Sequence, residues 1–169
     1  GDVQAALGAE PALRYSDYAA WQHEVLADAA LTAPHMQYWR EALGGELPVL
    51  ELQTDYPRPA VLTTKGSNVG VHVGAEATER LRSVCGECGT TLMKGVLAVW
   101  AVVLGKHTGQ EEVVVGVPYA NREHVALQSV MGYFINTLAL RVVVGSGKSF
   151  REVLCGVQNT MDEALAHAL

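Results

Sequence analysis

Apolar and polar positions alternate with helical spacing in some stretches of this chain and with strand spacing in others. Near the start, Ser16 is placed to cap a first helix running to about Ala30, with Asp17 in the first turn where the helix dipole favours an anion. Pro34 is expected to open a second helix, in which Met36, Trp39, Arg40 and Leu43 recur at helical spacing before Gly44 and Gly45 stop it. From Gly44 to Lys65 the texture changes to short apolar pieces broken by Pro48, Pro57 and Pro59, which predicts an extended linker. Val69, Val71 and Val73 alternate with Gly70, His72 and Gly74, the pattern of a half-buried strand. Two helices are predicted next, Ala75 to about Cys88 and Thr90 to about Lys106. In the second, Leu92, Val96, Val99, Trp100, Val103 and Leu104 are expected to face inward, with Lys94 and Ala98 facing out. Val113 to Val117 reads as a strand covered on both faces, and Phe134 to Val144 repeats that pattern. Ser149 then caps a last helix that buries Phe150, Val153, Leu154, Val157 and Met161. This order predicts an α/β fold, a mixed sheet covered by helices.

Composition narrows the function classes. With 169 residues, 49% apolar and 18% charged, the chain is long enough for one globular core. A formal net charge of -6 without a Lys/Arg cluster argues against nucleic acid, whose affinity comes mainly from neutralised phosphates. The longest apolar stretch, Val96 to Leu104 between Lys94 and Lys106, is too short for a bilayer, so no membrane partner is expected. Three cysteines do not make a disulfide framework, and the expected address is cytoplasmic. Cys85-Gly-Glu-Cys88 has redox spacing but falls at a predicted helix C-terminus, where no dipole stabilises a thiolate. A zinc site lacks further spaced ligands, and no metal is expected. Gly147-Lys-Ser149 sits between a strand and a helix, but position 142 is Val142 where a phosphate-binding loop needs glycine. His23, His35, His72, His107, His124 and His167 are scattered and read as surface or turn residues.

Candidate chemistry sits in Met131-Gly-Tyr-Phe-Ile-Asn-Thr-Leu-Ala-Leu-Arg141, where an amide, a hydroxyl and an arginine interrupt an apolar strand. This phrase resembles the Gly-x-Phe-Val-Asn-Thr-x-x-x-Arg motif of the condensation domains of nonribosomal peptide synthetases. Tyr15-Ser-Asp-Tyr-Ala-Ala-Trp21 is similar to their Tyr-x-Asp-Tyr-Ala-x-Trp motif, and Tyr38-Trp-Arg-Glu, Thr54-Asp-Tyr-Pro-Arg-Pro59 and Gly116-Val-Pro-Tyr-Ala-Asn-Arg122 are family-like text between the two. The resemblance implies a chloramphenicol acetyltransferase-like C-terminal lobe. It implies N-terminal helices over 1–45 that follow a catalytic lobe, an extended linker over 46–66, and an α/β lobe over 67–169 that is incomplete at its C-terminus, since His167 falls where a later family motif would begin.

The implied activity is acyl transfer. Condensation domains join aminoacyl and peptidyl thioesters, carried on the phosphopantetheine arms of upstream and downstream peptidyl carrier proteins, into amides for antibiotics and other secondary metabolites. No cofactor is expected to bind directly. The family's His-His-x-x-x-Asp-Gly signature is absent, because none of the six histidines has a histidine neighbour. No catalytic residue is therefore expected in this chain, which should be inactive alone and should need the missing N-terminal catalytic lobe as a partner.

On a strand, Asn136 projects from one face, either as an amide satisfied by nearby backbone or as part of the substrate tunnel. The resemblance implies the tunnel for Asn136, Tyr133, Thr137 and Asn121. It implies structural roles for Tyr15, Asp17, Trp21, Arg122 and Arg141, the last paired with a carboxylate or a chain end. An uncovered lobe face is expected to promote self-association through residues 118–141 or the N-terminal helices. The alternatives are a non-catalytic lobe acting as a binding or structural module, a related acyltransferase, or an epimerisation or heterocyclisation domain; Phe134-Ile-Asn-Thr137 fits the condensation branch better than the epimerisation branch.

Overall fold

The computed structural model describes residues 13–61 and 63–168. Its helices are α1 (Tyr15–Ala27), α2 (Ala29–Ala42), α3 (Ala75–Glu87), α4 (Leu92–Thr108) and α5 (Phe150–Ala166), and its strands are β1 (Glu112–Tyr119) and β2 (Asn136–Val143), with a short 3-10 turn at Val125–Leu127. The strands pair as a two-stranded sheet. They run antiparallel: Arg141 lies beside Glu112, and Thr137 lies over Gly116. Two compact units divide the described residues, one holding those up to Gly44 with Gly116–Leu138 and those from Leu165, the other holding those within Gly45–Val115 and Ala139–Ala164.

Local chemistry explains the helix ends. Asp17 Oδ2 accepts the Arg14 N–H at 2.9 Å, so α1 is capped from its first turn and begins one residue before the expected cap at Ser16. The predicted continuation to Ala30 does not form. Asp28 is extended, and its Oδ1 accepts the N–H groups of Ala30 and Leu31 at 2.8 and 3.4 Å, which starts α2 there instead of at Pro34. Pro34 thus lies inside α2, where it removes one backbone donor. Gly45 takes φ +74, the left-handed geometry in which the chain leaves a helix without a Cβ penalty. At α5 the expected cap holds as a reciprocal box: Ser149 N–H and Oγ–H both donate to Glu152 Oε2 at 2.7 Å, and Glu152 N–H donates back to Ser149 Oγ at 3.3 Å. These bonds favour the charged carboxyl and hold Glu152 below the usual carboxylate range.

The second unit has its core on α4, β1, β2 and α5. Leu140, Leu154 and Val157 are fully buried, and Val153 and Met161 join them as the α5 pattern predicts. One expectation reverses. Ala98 is fully buried, whereas Val96, Val99, Trp100 and Val103 are 55, 40, 53 and 37% exposed. Lys94, expected outside, is largely covered, with its side chain 12% exposed and its ammonium on Asp162. The reason is close approach: α4 buries its small residues Gly95, Ala98, Ala101 and Gly105, and a Cβ on Gly95 would lie 2.4 Å from Cys85 Sγ. Bulk at those positions would push the helices apart, so Val96, Val99, Trp100 and Val103 are left outside, while Leu97 and the expected Leu104 are buried.

Gly95→Ala is accordingly expected to lower stability by about 1–3 kcal/mol through overpacking. Cys85→Ala, placed in the same chain, should recover part of that loss, because the clash is with Sγ. A double-mutant cycle on denaturant midpoints checks it; additive losses would show that the thiol is not the obstacle.

The strand predicted at 69–73 is also absent. Val69, Val71 and Val73 are 87, 84 and 61% exposed, and no described strand pairs with them. Alternation makes a half-buried face available, but an extended segment gains its ladder bonds only from a neighbour. For the same reason β1 is not covered on both faces: Val113 is buried, and Gly116 and Pro118 are exposed. Nor does β2 repeat a pattern covered on both faces: Leu138, Leu140 and Val142 alternate inward with a two-residue period, and Thr137 and Val143 are exposed. Among the described residues, no single helix is long and apolar enough to cross a membrane.

Candidate functional site

Within the first unit, α1, the turn after β1 and the segment entering β2 come together around an aromatic cluster. Tyr18, Val130 and Phe134 are buried, with Leu13 and Leu127 packed on them. The ring of Tyr15 meets Phe134 edge-on at 5.2 Å, and that of Tyr18 meets it at 4.7 Å. Helical spacing puts Tyr15, Tyr18 and Gln22 on one side of α1. Gly132 is required at the approach to α1, since a Cβ there would lie 2.2 Å from the Tyr15 ring.

Arg122 ties this segment down. Its guanidinium donates to the carbonyls of Leu127, Val130 and Gly132 at 2.6, 2.7 and 3.1 Å and lies 4.1 Å over the Phe134 ring. Asn121 precedes it with φ +51, a left-handed conformation that asparagine adopts more readily than most residues. That turn sends its amide toward α1, where Nδ2 donates to Tyr18 Oη at 3.1 Å. Gln22 Nε2 donates to the same oxygen at 3.2 Å. Tyr15 Oη donates to the Tyr133 carbonyl at 2.9 Å.

These contacts surround a polar cavity of about 260 Å³ lined by Tyr15, Tyr18, Gln22, Asn121, Tyr133, Phe134, Ile135 and Asn136. Four of the residues singled out in the sequence, Tyr15, Asn121, Tyr133 and Asn136, therefore share one cavity although they belong to three separate motifs. Asn136 is half-buried, and its Oδ1 accepts the Thr137 N–H at 2.8 Å. Thr137 does not line the cavity; it is exposed, with its methyl group over Gly116. Asp17 and Trp21 line a neighbouring apolar pocket of about 390 Å³ with Leu13, Tyr18, His124 and Leu127. In the second unit, Arg141 pairs with the Glu112 carboxylate through Nε at 3.0 Å and Nη2 at 2.7 Å.

The cavity's Tyr18 phenol is shifted further from ionisation. Burial pushes the Tyr18 hydroxyl up, helped by Tyr15 and opposed by the Asn121 hydrogen bond. Tyr119 nearby is pushed up to about 12, by burial first and then by its hydrogen bond to Glu123. The Cys85 thiol is raised by burial and by Cys88, which disfavours the thiolate that redox chemistry needs. No group of three or more metal-ligating side chains occurs among the described residues.

Two features escaped the sequence reading. Tyr18 and Gln22 carry as much of the cavity as the chosen residues, and their spacing from Tyr15 on α1 was the available signal. His35 and His167, read as separate surface residues, meet with Nδ1 atoms 3.2 Å apart, and Tyr38 stacks on His167 at 4.3 Å. A separation of 132 positions hides that pair from any local pattern.

A condensation-domain family model matches residues 4–168. The chain belongs to the condensation-domain family. Among curated proteins it is 43% identical over 155 residues to tyrocidine synthase 3 of Brevibacillus parabrevis, covering 92% of this chain and 2% of that protein. Among solved structures it is similar to the X-domain of teicoplanin biosynthesis in its complex with OxyB, with a TM-score of 0.87 at 26% identity over 95% of this chain and 36% of that one. It is also similar to the first condensation domain of the calcium-dependent antibiotic (CDA) synthetase, with a TM-score of 0.67 at 30% identity over 90% of this chain and 33% of that one. The α/β fold class expected from the sequence is the one these structures share. The chain spans about a third of each solved relative's length and a far smaller part of the synthetase.

Proposed function

We propose that this chain forms one wall of the reaction tunnel of a nonribosomal peptide synthetase condensation domain. In it, the amine of one carrier-bound aminoacyl group attacks the thioester of another to form an amide. The observation that carries this reading is the polar cavity, where the Asn136 and Tyr133 of one family phrase meet the Tyr15 and Tyr18 of the other. A cavity of this kind suits positioning: two reactants delivered on phosphopantetheine arms react as if intramolecular, which accounts for much of the rate. The tunnel residues proposed are Asn136, Tyr133 and Asn121. Arg122 and Arg141 hold backbone and strand, and Asp17 caps α1.

In this reading, residues 1–45 follow a catalytic lobe that supplies the His-His-x-x-x-Asp-Gly segment, 46–66 connect, and 67–169 belong to the second lobe. The whole works in the cytoplasm with upstream and downstream carrier proteins. Val125, Met131, Tyr133 and Ile135 are exposed, which supports self-association of the isolated chain through residues 118–141.

The test supplies two loaded carrier proteins and measures dipeptidyl thioester. Turnover is expected from the chain within its complete domain and none above the uncatalysed control from the 169 residues alone. A complete domain that forms no amide would overturn the reading. It would favour a second one, a binding module, which the likeness to an X-domain solved in complex with OxyB supports.

A further inference from the structure

Tyr18 stands at the middle of the cavity, and its hydroxyl oxygen is used in an unusual way. A phenol oxygen has one proton to give and two lone pairs to receive. Here Gln22 Nε2 and Asn121 Nδ2 both donate to it, so both lone pairs are taken and the proton is directed at neither amide. With both amides presenting nitrogen, neither of these neighbours accepts that proton. The residue is only 6% exposed, and burying a donor without an acceptor is unfavourable by enough to be rare in native proteins. The cavity that Tyr18 shares with Gln22, Asn121 and Asn136 is polar, so it is a place where an incoming oxygen completes the set.

We propose that the Tyr18 hydroxyl binds substrate, donating its hydrogen bond to the acyl carbonyl oxygen of the pantetheine-borne group. This rests on the tunnel reading given above. Gln22 and Asn121 act as positioning residues: by filling the lone pairs they fix the rotor and present the proton. A phenol is protonated across the neutral range, and burial pushes Tyr18 further the same way, so the donor is available there. The arrangement selects for a carbonyl and against a ligand that can only donate, since the oxygen has no lone pair left to receive one.

The test uses the complete condensation domain and a stable probe, a pantetheine whose acyl group is held by an amide in place of the thioester and carries ¹³C at the acyl carbonyl. Binding is measured by calorimetry and the labelled carbonyl band by difference infrared spectroscopy. In the unaltered domain the band should shift to lower frequency on binding. Tyr18→Phe should return it to its unbonded position and weaken binding about tenfold, the size of one neutral hydrogen bond to a positioned group. Asn121→Asp keeps the phenol in place but offers a carboxylate that accepts its proton, and should abolish the shift equally; it decides the matter where Tyr18→Phe fails to fold. A shift that persists in a folded Tyr18→Phe domain, or in Asn121→Asp, overturns the assignment while leaving the tunnel reading intact. An unaltered domain that makes amide yet shows no shift of the bound carbonyl overturns the Tyr18 assignment alone. A domain that binds no probe and makes no amide overturns both.

Discussion

Arg122→Ala should loosen the segment between β1 and β2 and lower stability by about 3 kcal/mol, because three carbonyls lose a charged donor at once. Hydrogen bonds to charged groups contribute more than neutral ones, and an arginine over an aromatic face adds to them. The carbonyls of Leu127 and Val130 gain no substitute from alanine, and Val130 itself is 4% exposed, so water reaches that carbonyl poorly. Phe134 also loses its cover. The loss is therefore expected to be local before it is global, with amide exchange rising across residues 123–135 while α4 and α5 stay protected. Arg122→Lys should recover only a minor part, since one ammonium cannot reproduce a planar fork aimed at three acceptors. A midpoint shift well below 1 kcal/mol, with exchange unchanged in that segment, would mean that water replaces the guanidinium and that the loop is held by its aromatic cluster alone.

How much of this was legible depended on the range of the interaction. α3 and α5 were readable because their signals are local: Glu76 in a first turn, and the Ser149 and Glu152 box with apolar residues at helical spacing behind it. The break at Asp28 is local too, but an aspartate flanked by alanines reads equally well inside a helix, and only its two accepted N–H groups distinguish a cap. The inward face of α4 differs from the one that hydrophobic patterning predicts, because patterning ranks residues by size and apolarity. Close approach to Cys85 at Gly95, and to Val144 at Gly105, selects the small ones instead. In the site, Asn121, Tyr133 and Asn136 stood out as polar groups in family phrases. Tyr18 does not stand out in the sequence, because its hydroxyl is met by two donors 4 and 103 positions away.

Asn136→Ala in the complete domain is expected to reduce condensation by about 2–4 kcal/mol in the transition state, roughly 30- to 1000-fold in rate, because a positioned polar group beside developing charge is worth that much. Its place supports this: Asn136 opens β2 at the cavity, two residues before the buried Leu138, on a strand whose inward period is unbroken. The rival explanation is concrete as well, since its Oδ1 caps the Thr137 N–H. A capping amide alone would cost roughly 1–3 kcal/mol of folding stability when lost and leave the folded fraction's turnover unchanged. The Thr137 N–H lies on an exposed residue, where water replaces the lost acceptor, so the stability loss should fall at the low end of that range. Denaturant midpoint and turnover, measured on the same protein, separate the two. A small midpoint shift with a large fall in turnover assigns the amide to the tunnel, and intact turnover of the folded fraction, whatever the midpoint shift, returns Asn136 to the scaffold.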